Sequence, residues 1–493
     1  MDLRGKKMKE ASKKATSIWI LALASAASFM ISLDLQIVTT SLPTIRLHLG
    51  ASIEDLEWMV NAYILTFAVF LLTGAALGDR FGRKRIFVIG IGLFVIASAA
   101  CALSPSTGAL IAARTIQGIG AAPVLPLALT LLSAAFPPEQ RGRVLGIFAS
   151  VTGLALIAGP VLGGAISGAL TWQWIFWINV PVGLMIIALV LLRVPESFGP
   201  RTPLDIGGLL LVSAASLGLV WGLVRGNRAG WGSFEVVATL FAGGVLLVAF
   251  VAWELRVHAP MVPMRFFRSR AFSSGNVANF SLFASMGGAL FFMAQFLQTA
   301  QGYGPLAAGL RLLPWTATLF VVAPIAGALV NRLGERVLIV VGLLAEATGM
   351  IWIALIASPS LPYSELVAPL ILCGCGASLA IPATQSAVIN SVATSEIGKA
   401  SGAFNMLRQI SAVFGVSILA AVFAWFGGFS SPLAFSNGFT SAIGIAAALG
   451  LVGAIAGLVL PGRGHMAVAR TTVQASEIKE HASYSEPAQS SSL

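Results

Sequence analysis

The chain has 493 residues, 57% of them hydrophobic and only 10% charged, and its mean hydropathy is +0.90. A soluble domain carries about 25% charged residues, so this chain cannot build a water-facing surface and lipid has to be its main solvent. The formal charge of +11 would suit a nucleic-acid binder, but the basic residues are spread in a pattern that argues against one.

Residues 1–17 form a basic segment with Arg4, Lys6, Lys7, Lys9, Lys13 and Lys14. The apolar run behind it, 18–40, exceeds the roughly 7–15 residues of a signal-peptide core and reads as a retained first span. About 20 apolar residues cross a bilayer. Further runs qualify at 57–78, 86–104, 108–134, 144–168 and 172–193, completing a first group of six in 18–193. A linker and two more spans, 205–225 and 235–255, fill 194–260. The last six, near 273–299, 306–331, 336–357, 364–391, 398–425 and 437–460, occupy 261–460. With the N-terminus inside, 24 of the 30 Lys and Arg residues fall in inside segments. One span more or fewer would reverse that bias, so the sequence predicts an all-α membrane protein with fourteen spans and both termini cytoplasmic. The Ser/Ala/Glu-rich tail, 461–493, is expected to be disordered.

An internal repeat accounts for the number of spans. Gly118, Gly120 and Pro126 recur 256 positions later as Gly374, Gly376 and Pro382. Gly142, Gly146 and Phe148 recur at the same offset as Gly398, Gly402 and Phe404. Asp79-Arg80-Phe81-Gly82 recurs 252 positions later as Asn331-Arg332-Leu333-Gly334. Spans 1–6 therefore map onto spans 9–14, and spans 7 and 8 are an insert. Two parallel six-helix bundles with a site between them at mid-depth are a known transporter plan.

Three motifs stand out. The turn between spans 2 and 3 reads Gly78-Asp79-Arg80-Phe81-Gly82-Arg83-Lys84-Arg85. Gly82 supplies backbone freedom, and Asp79 suits a helix N-terminus or a basic partner. A merely basic anchoring loop would explain the arginines but not Asp79 or the glycine spacing. Span 4 carries Arg114 with Gln117 on the same face. Span 5 runs from Gly153 through Gly159, Pro160, Gly163 and Gly164, a composition that lets a helix kink and approach a neighbour closely.

On these motifs residues 18–460 resemble the major facilitator superfamily: the turn is similar to its signature loop, the Arg114 segment to its span-4 motif, and Gly153–Gly164 to its antiporter motif. Ala75 stands where the signature loop usually begins with glycine, and Asn331 replaces the aspartate in the second copy. Leu33-Asp34 through Pro43, the run from Trp172 through Asn179 and Pro181 to Gly183, and the two extra spans resemble the fourteen-span drug:proton antiporters of the EmrB/QacA type. The resemblance implies a proton-coupled antiporter in the cytoplasmic (inner) membrane that works by alternating access as a monomer. Its partners would be protons, a small-molecule substrate and lipid, with a periplasmic adaptor if the source has two membranes. No cofactor beyond the proton gradient is implied. Substrates would be small lipophilic drugs, cations among them; a dedicated metabolite or antibiotic exporter, or an uptake symporter, shares the fold.

Charges at mid-depth cost roughly 2.5–3.5 kcal/mol on insertion scales, so each needs an explanation. Asp34, deep in span 1, is the proton-carrier candidate, with a permanent pair to Arg114 as the bland account. Asn61 in span 2 is a candidate for the same chamber. Glu346, central in span 11, aligns by the repeat with the region of Gly90. Arg408 in span 13 aligns with Thr152 and suits a gating or pairing role, whereas Arg311 near the end of span 10 suits snorkelling. No phosphate-cradling Gly-x-x-x-x-Gly-Lys-Ser/Thr loop occurs, the four histidines are scattered outside the spans and make no metal site, and no soluble segment is long enough to house an enzyme active site.

Overall fold

The computed structural model describes residues 2–199, 205–393 and 396–461; the tail expected to be disordered lies outside the described residues from 462 on. Among the described residues every regular element is a helix. Fourteen helices are long and apolar enough to cross a membrane, from Thr16–Leu49 and Ile53–Phe81 to Ile397–Phe426 and Pro432–Val459. The count and order match the sequence expectation. Each successive span reverses direction, so the basic loops gather at one end of the bundle, termed here the basic end.

Local sequence explains where the spans depart from their expected bounds. Span 1 does not stop at 40: its helix begins at Asp2 and continues through Pro43 to Leu49, so Arg46 is helical. Pro43 leaves the Thr39 carbonyl, four residues back, without its usual donor. At the adjacent carbonyl, that of Thr40, Gln298 Nε2 of span 9 adds a hydrogen bond at 2.9 Å. Span 4 is broken at Ala122–Pro123 into Thr107–Ala121 and Val124–Ala135. Pro123 fills a notch against two glycines, since a Cβ on Gly74 or Gly90 would lie 2.8 or 2.7 Å from its atoms. Span 9 ends in a single π-turn, Phe296–Ala300, and a short helix, Pro305–Arg311, precedes span 10.

The repeat is visible in matched contacts. A Cβ on Gly118 would strike Thr66 Oγ1 and the Tyr63 carbonyl; on Gly374 it would strike Thr318 Oγ1 and the Trp315 carbonyl. Gly120 meets Phe94 N and the Gly90 carbonyl, as Gly376 meets Glu346 N and the Gly342 carbonyl. Spans 2 and 3 thus keep the offset of 252 and span 4 that of 256, because the intervening loop is four residues longer in the second copy. Glu346 accordingly corresponds to Phe94, one turn beyond the Gly90 region expected from the larger offset.

The inserted pair, Ile206–Gly226 and Phe234–Glu254, packs on itself and lays span 7 across spans 2 and 13. It is more than a lipid-facing appendage. Trp221 packs on Trp58 with the rings tilted by 52° and their centroids 5.6 Å apart, and Arg225 and Arg228 reach Glu54 of span 2 at 3.2 and 3.3 Å. Its charged residues, Asp205, Arg225, Arg228, Glu235 and Glu254, sit near the span ends.

Candidate functional site

Asp34 is fully enclosed inside the first six-helix bundle rather than at its surface. Its Oδ2 accepts from Arg114 Nη1 at 2.5 Å. Its Oδ1 accepts from Asn179 Nδ2 at 2.7 Å and from Gln117 Nε2 at 3.1 Å. Gln117 is held in turn by Arg114 Nη1 at 2.6 Å and by Ser98 Oγ at 2.7 Å. Arg114 Nε donates to the Met59 carbonyl at 3.1 Å, and the guanidinium lies 4.1 Å from the Tyr63 ring. Spans 1, 2, 3, 4 and 6 all contribute, and Asp34 and Arg114 have no exposed side-chain surface. Two buried charges repay desolvation only when their geometry is good and their remaining lone pairs and protons are satisfied. Here one donor is left over, Arg114 Nη2, which is buried without a partner.

Sequence reasoning found Asp34, Arg114 and Gln117 but missed Ser98 and Asn179 as parts of the same network. Ser98 gives no signal in a span of small residues. Asn179 does, as one of two amides, with Gln173, in the aromatic run Trp172–Gly183, where a buried polar group has to find a partner. Among the described residues the second bundle has no such network. The positions matching Asp34, Ser98, Arg114 and Gln117 are Met286, Met350, Leu370 and Cys373, all buried.

The other candidates separate. Asn61 is not in the Asp34 chamber: its Nδ2 donates to Ser417 Oγ of span 13 at 2.9 Å, a bond between the two bundles. Glu346 is buried inside the second bundle with Ser285 beside its carboxyl, and no cation pairs with it among the described residues. Arg408 finds no carboxylate either; its guanidinium lies 4.5 Å from the Phe283 ring. Arg311 does not simply snorkel, because it stacks 3.7 Å from Tyr303 and 5.1 Å from Tyr363.

The glycines of span 5 are packing surfaces inside the molecule. Gly159 and Gly163 leave room for Gln36 and Ile37 of span 1, while Gly164 faces the backbone of Pro305 and Leu306 in the second half. Pro160 meets Gly309 in the same contact, and Gly153 has nothing within 4 Å. In the turn after span 2, Gly82 has φ 111°, which favours glycine. Asp79 Oδ1 accepts from Arg83 Nε at 2.8 Å, and its carbonyl accepts from Gly199 N at 3.0 Å. Glu196, unforeseen from sequence, accepts from the amides of Lys84 and Arg85 at 2.9 and 3.2 Å, satisfying amides that begin span 3. Gly78 lets Leu127 of span 4 approach. Arg80 turns onto the neighbouring Phe81 ring at 5.3 Å.

The two bundles pack along spans 2 and 13 as far as Leu72 against Gly402 nearer the basic end, and their polar contacts lie at the end away from the basic loops. There Asn61 bonds Ser417, Gln298 bonds Thr40, Arg46 stacks 3.8 Å from Phe429, and Gly164 and Gly309 seat the Pro305–Arg311 helix on span 5. At the basic end, the ion pairs Asp79–Arg83, Arg85–Glu196 and Arg265–Glu396 each stay within one half among the described residues.

Two repeated six-helix bundles joined along a seam, one of them holding a buried ion-pair network, define a membrane transporter rather than an enzyme. The Major Facilitator Superfamily profile matches residues 24–416, and the chain belongs to that superfamily, as a multi-pass membrane protein. It is 34% identical over 411 residues to "Multidrug resistance protein Stp" of Mycobacterium tuberculosis (strain CDC 1551 / Oshkosh), covering 83% of this chain and 76% of that one. It is 33% identical to the "Tetracenomycin C resistance and export protein" of Streptomyces glaucescens, covering 82% of this chain and 76% of that one. The "Methylenomycin A resistance protein" of Bacillus subtilis (strain 168) is 32% identical, with 85% of this chain and 91% of that one covered. Among solved structures, a POT family transporter has a TM-score of 0.67 at 15% identity, covering 88% of this chain and 94% of that one. A D-xylose–proton symporter has a TM-score of 0.63 at 16% identity, covering 90% of this chain and 97% of that one. At those identities the structures establish the fold alone.

Proposed function

We propose that the chain is a proton-coupled antiporter of the cytoplasmic membrane that exports small lipophilic drugs or antibiotics by alternating access, with Asp34 as the proton carrier. The observation that carries the reading is the enclosed Asp34–Arg114–Gln117–Asn179 network, a carboxylate bridging three spans of one bundle with no counterpart among the described residues of the other. Relatives named for multidrug resistance and antibiotic export support the direction of transport.

The bias of basic residues supports a cytoplasmic basic end with both termini there, and the sealed end of the seam would then face outward. This supports an inward-facing conformation. Protonation of Asp34 would remove the charge that holds Arg114, Gln117 and Asn179 together. Span 1 would be loosened against spans 4 and 6, and span 1 is also the helix that reaches the outer seal through Thr40 and Arg46. A one-unit difference in proton affinity between conformations is worth about 1.4 kcal/mol, enough for useful coupling. The Asp79 turn, fastened to Glu196 and Gly199 on the cytoplasmic side, would set the rate of the swing rather than touch substrate. Residues 1–17 and the tail are assigned to the cytoplasm, 18–193 and 261–460 to the two moving bundles, and 194–260 to an accessory insert.

A dedicated antibiotic exporter is the second reading, favoured by relatives named for single compounds, tetracenomycin C and methylenomycin A. Purified protein in liposomes with an imposed pH gradient tests the proposal. Accumulation of antibiotics or dyes against their gradient, lost on adding a protonophore and in Asp34→Asn, is expected. Transport that persists without a pH gradient or membrane potential would refute proton coupling.

A further inference from the structure

Charge along the seam points to a substrate class. Three arginines lie on or beside it, and none has a carboxylate within ion-pair distance among the described residues. Arg408 belongs to span 13, which packs on span 2 of the other half. Arg46 and Arg311 stand at the sealed end, stacked on Phe429 and Tyr303 at 3.8 and 3.7 Å. Arg46 and Tyr303 line one cavity of about 320 Å³, completed by Pro43, Thr44, Gln298 and Pro305. Span 1 of one half and the chain between spans 9 and 10 of the other therefore build it jointly. The Nε atoms of Arg46 and Arg311 are both buried without a hydrogen-bond partner.

Two of the deep carboxylates are placed elsewhere, and a third, Glu57, lies close to the seam. Asp34 is taken up by Arg114 inside the first bundle, and Glu346 is enclosed in the second. Glu57, buried on span 2 one turn from Asn61, pairs with none of the three arginines. Arg46 and Arg311 are both partly buried and Arg311 Nη1 donates to the Ala307 carbonyl at 3.2 Å, but a buried Nε donor without a partner is costly to leave unanswered. The planar fork of a guanidinium fits the two oxygens of a carboxylate or sulfonate. The tyrosine and phenylalanine faces alongside offer an apolar seat for an aromatic body.

We propose that the vestibule lined by Arg46 and Tyr303, with Phe429 stacked on Arg46 and Arg311 on Tyr303, is a subsite for the acidic group of an aromatic amphiphile, so that the protein handles organic anions in preference to cations. The proposal rests on the export reading, but its test is a binding measurement that needs no transport. An anionic lipid headgroup offers the same oxygen chemistry, so the test separates the two sources.

Full-length protein in an uncharged detergent is titrated with fluorescein, an anion, and rhodamine 123, a cation on the same xanthene frame, and binding is followed by fluorescence anisotropy. Fluorescein should bind at least tenfold more tightly than rhodamine 123. Arg46→Gln and Arg311→Gln should each weaken fluorescein about tenfold and leave rhodamine 123 unchanged, and Arg46→Lys should restore part of the loss. Phosphatidylglycerol in mixed micelles should not displace the dye. Tighter binding of rhodamine 123, no binding of either dye, or fluorescein affinity equal in wild type and both Gln variants at unchanged melting temperature would overturn the proposal. Stoichiometric displacement by phosphatidylglycerol would also overturn it, in favour of a lipid site. Selective fluorescein binding without proton-driven export would instead refute the export reading and leave the subsite standing.

Discussion

Gly164→Ala should open the outer seal. A Cβ at Gly164 would lie 2.3 Å from the Pro305 carbonyl oxygen, and one at Gly309 would lie 2.1 Å from that of Pro160. Both obstacles are backbone atoms of the opposite half, so no side chain can swing aside. Ordinary contact begins near 3.4 Å, so span 5 and the Pro305–Arg311 helix would have to part by about 1 Å. Overpacking of this kind costs about 1–3 kcal/mol. The penalty falls only on the conformation in which these helices touch, so the ratio of outer-open to outer-closed molecules should rise roughly 5- to 150-fold. Spin labels at Leu170 and Leu433, exposed positions near the sealed end of each half, would report the change as a longer distance by pulsed electron resonance, with Cys375, the least buried native cysteine, replaced by serine. Gly168→Ala, where nothing lies within 4 Å, is the control, and Gly163→Ala, which strikes Ile37 of its own bundle at 2.8 Å, should lower the melting temperature without lengthening the distance. A Gly164→Ala protein that melts like wild type and shows the wild-type distance distribution would refute the argument.

Asp34→Asn should abolish gradient-driven transport and also destabilise the protein by about 3–5 kcal/mol, because it strands the buried Arg114 charge; Asp34→Asn with Arg114→Gln should regain melting temperature but not transport, and full transport by either variant would contradict the assignment. Asp79→Asn and Glu196→Gln should slow turnover more than they weaken binding, since both residues act at the cytoplasmic turn, and unchanged turnover with a greatly raised dissociation constant would count against this. Glu54→Gln should release Arg225 and Arg228, partly exposed pairs worth about 0.2–1 kcal/mol each, giving faster hydrogen exchange at the end of span 7 with transport retained. A substrate analogue crosslinking to span 7 or 8 from the central chamber would show that the insert is part of the path.

Periodicity and charge in the chain determined the number of spans, their order and the repeat, because bilayer thickness and the distribution of Lys and Arg are read residue by residue without knowing any neighbour. The same reasoning singled out Asp34 and Arg114, since a charge in an apolar helix is visible in one dimension. It could not tell that Asn179 and Ser98 close the network, that Asn61 bonds the other half instead, or that Arg311 rests between two tyrosines. Those facts depend on which faces of helices far apart in sequence meet. Arg46 shows the limit most plainly. Counting apolar residues ended span 1 at 40, yet the helix runs on to Leu49, and along that extension Gln298 of the second half donates to the Thr40 carbonyl and Phe429 covers the Arg46 guanidinium. A helix end in lipid is decided by where its unsatisfied backbone groups find partners, and those partners exist only once the two halves have come together.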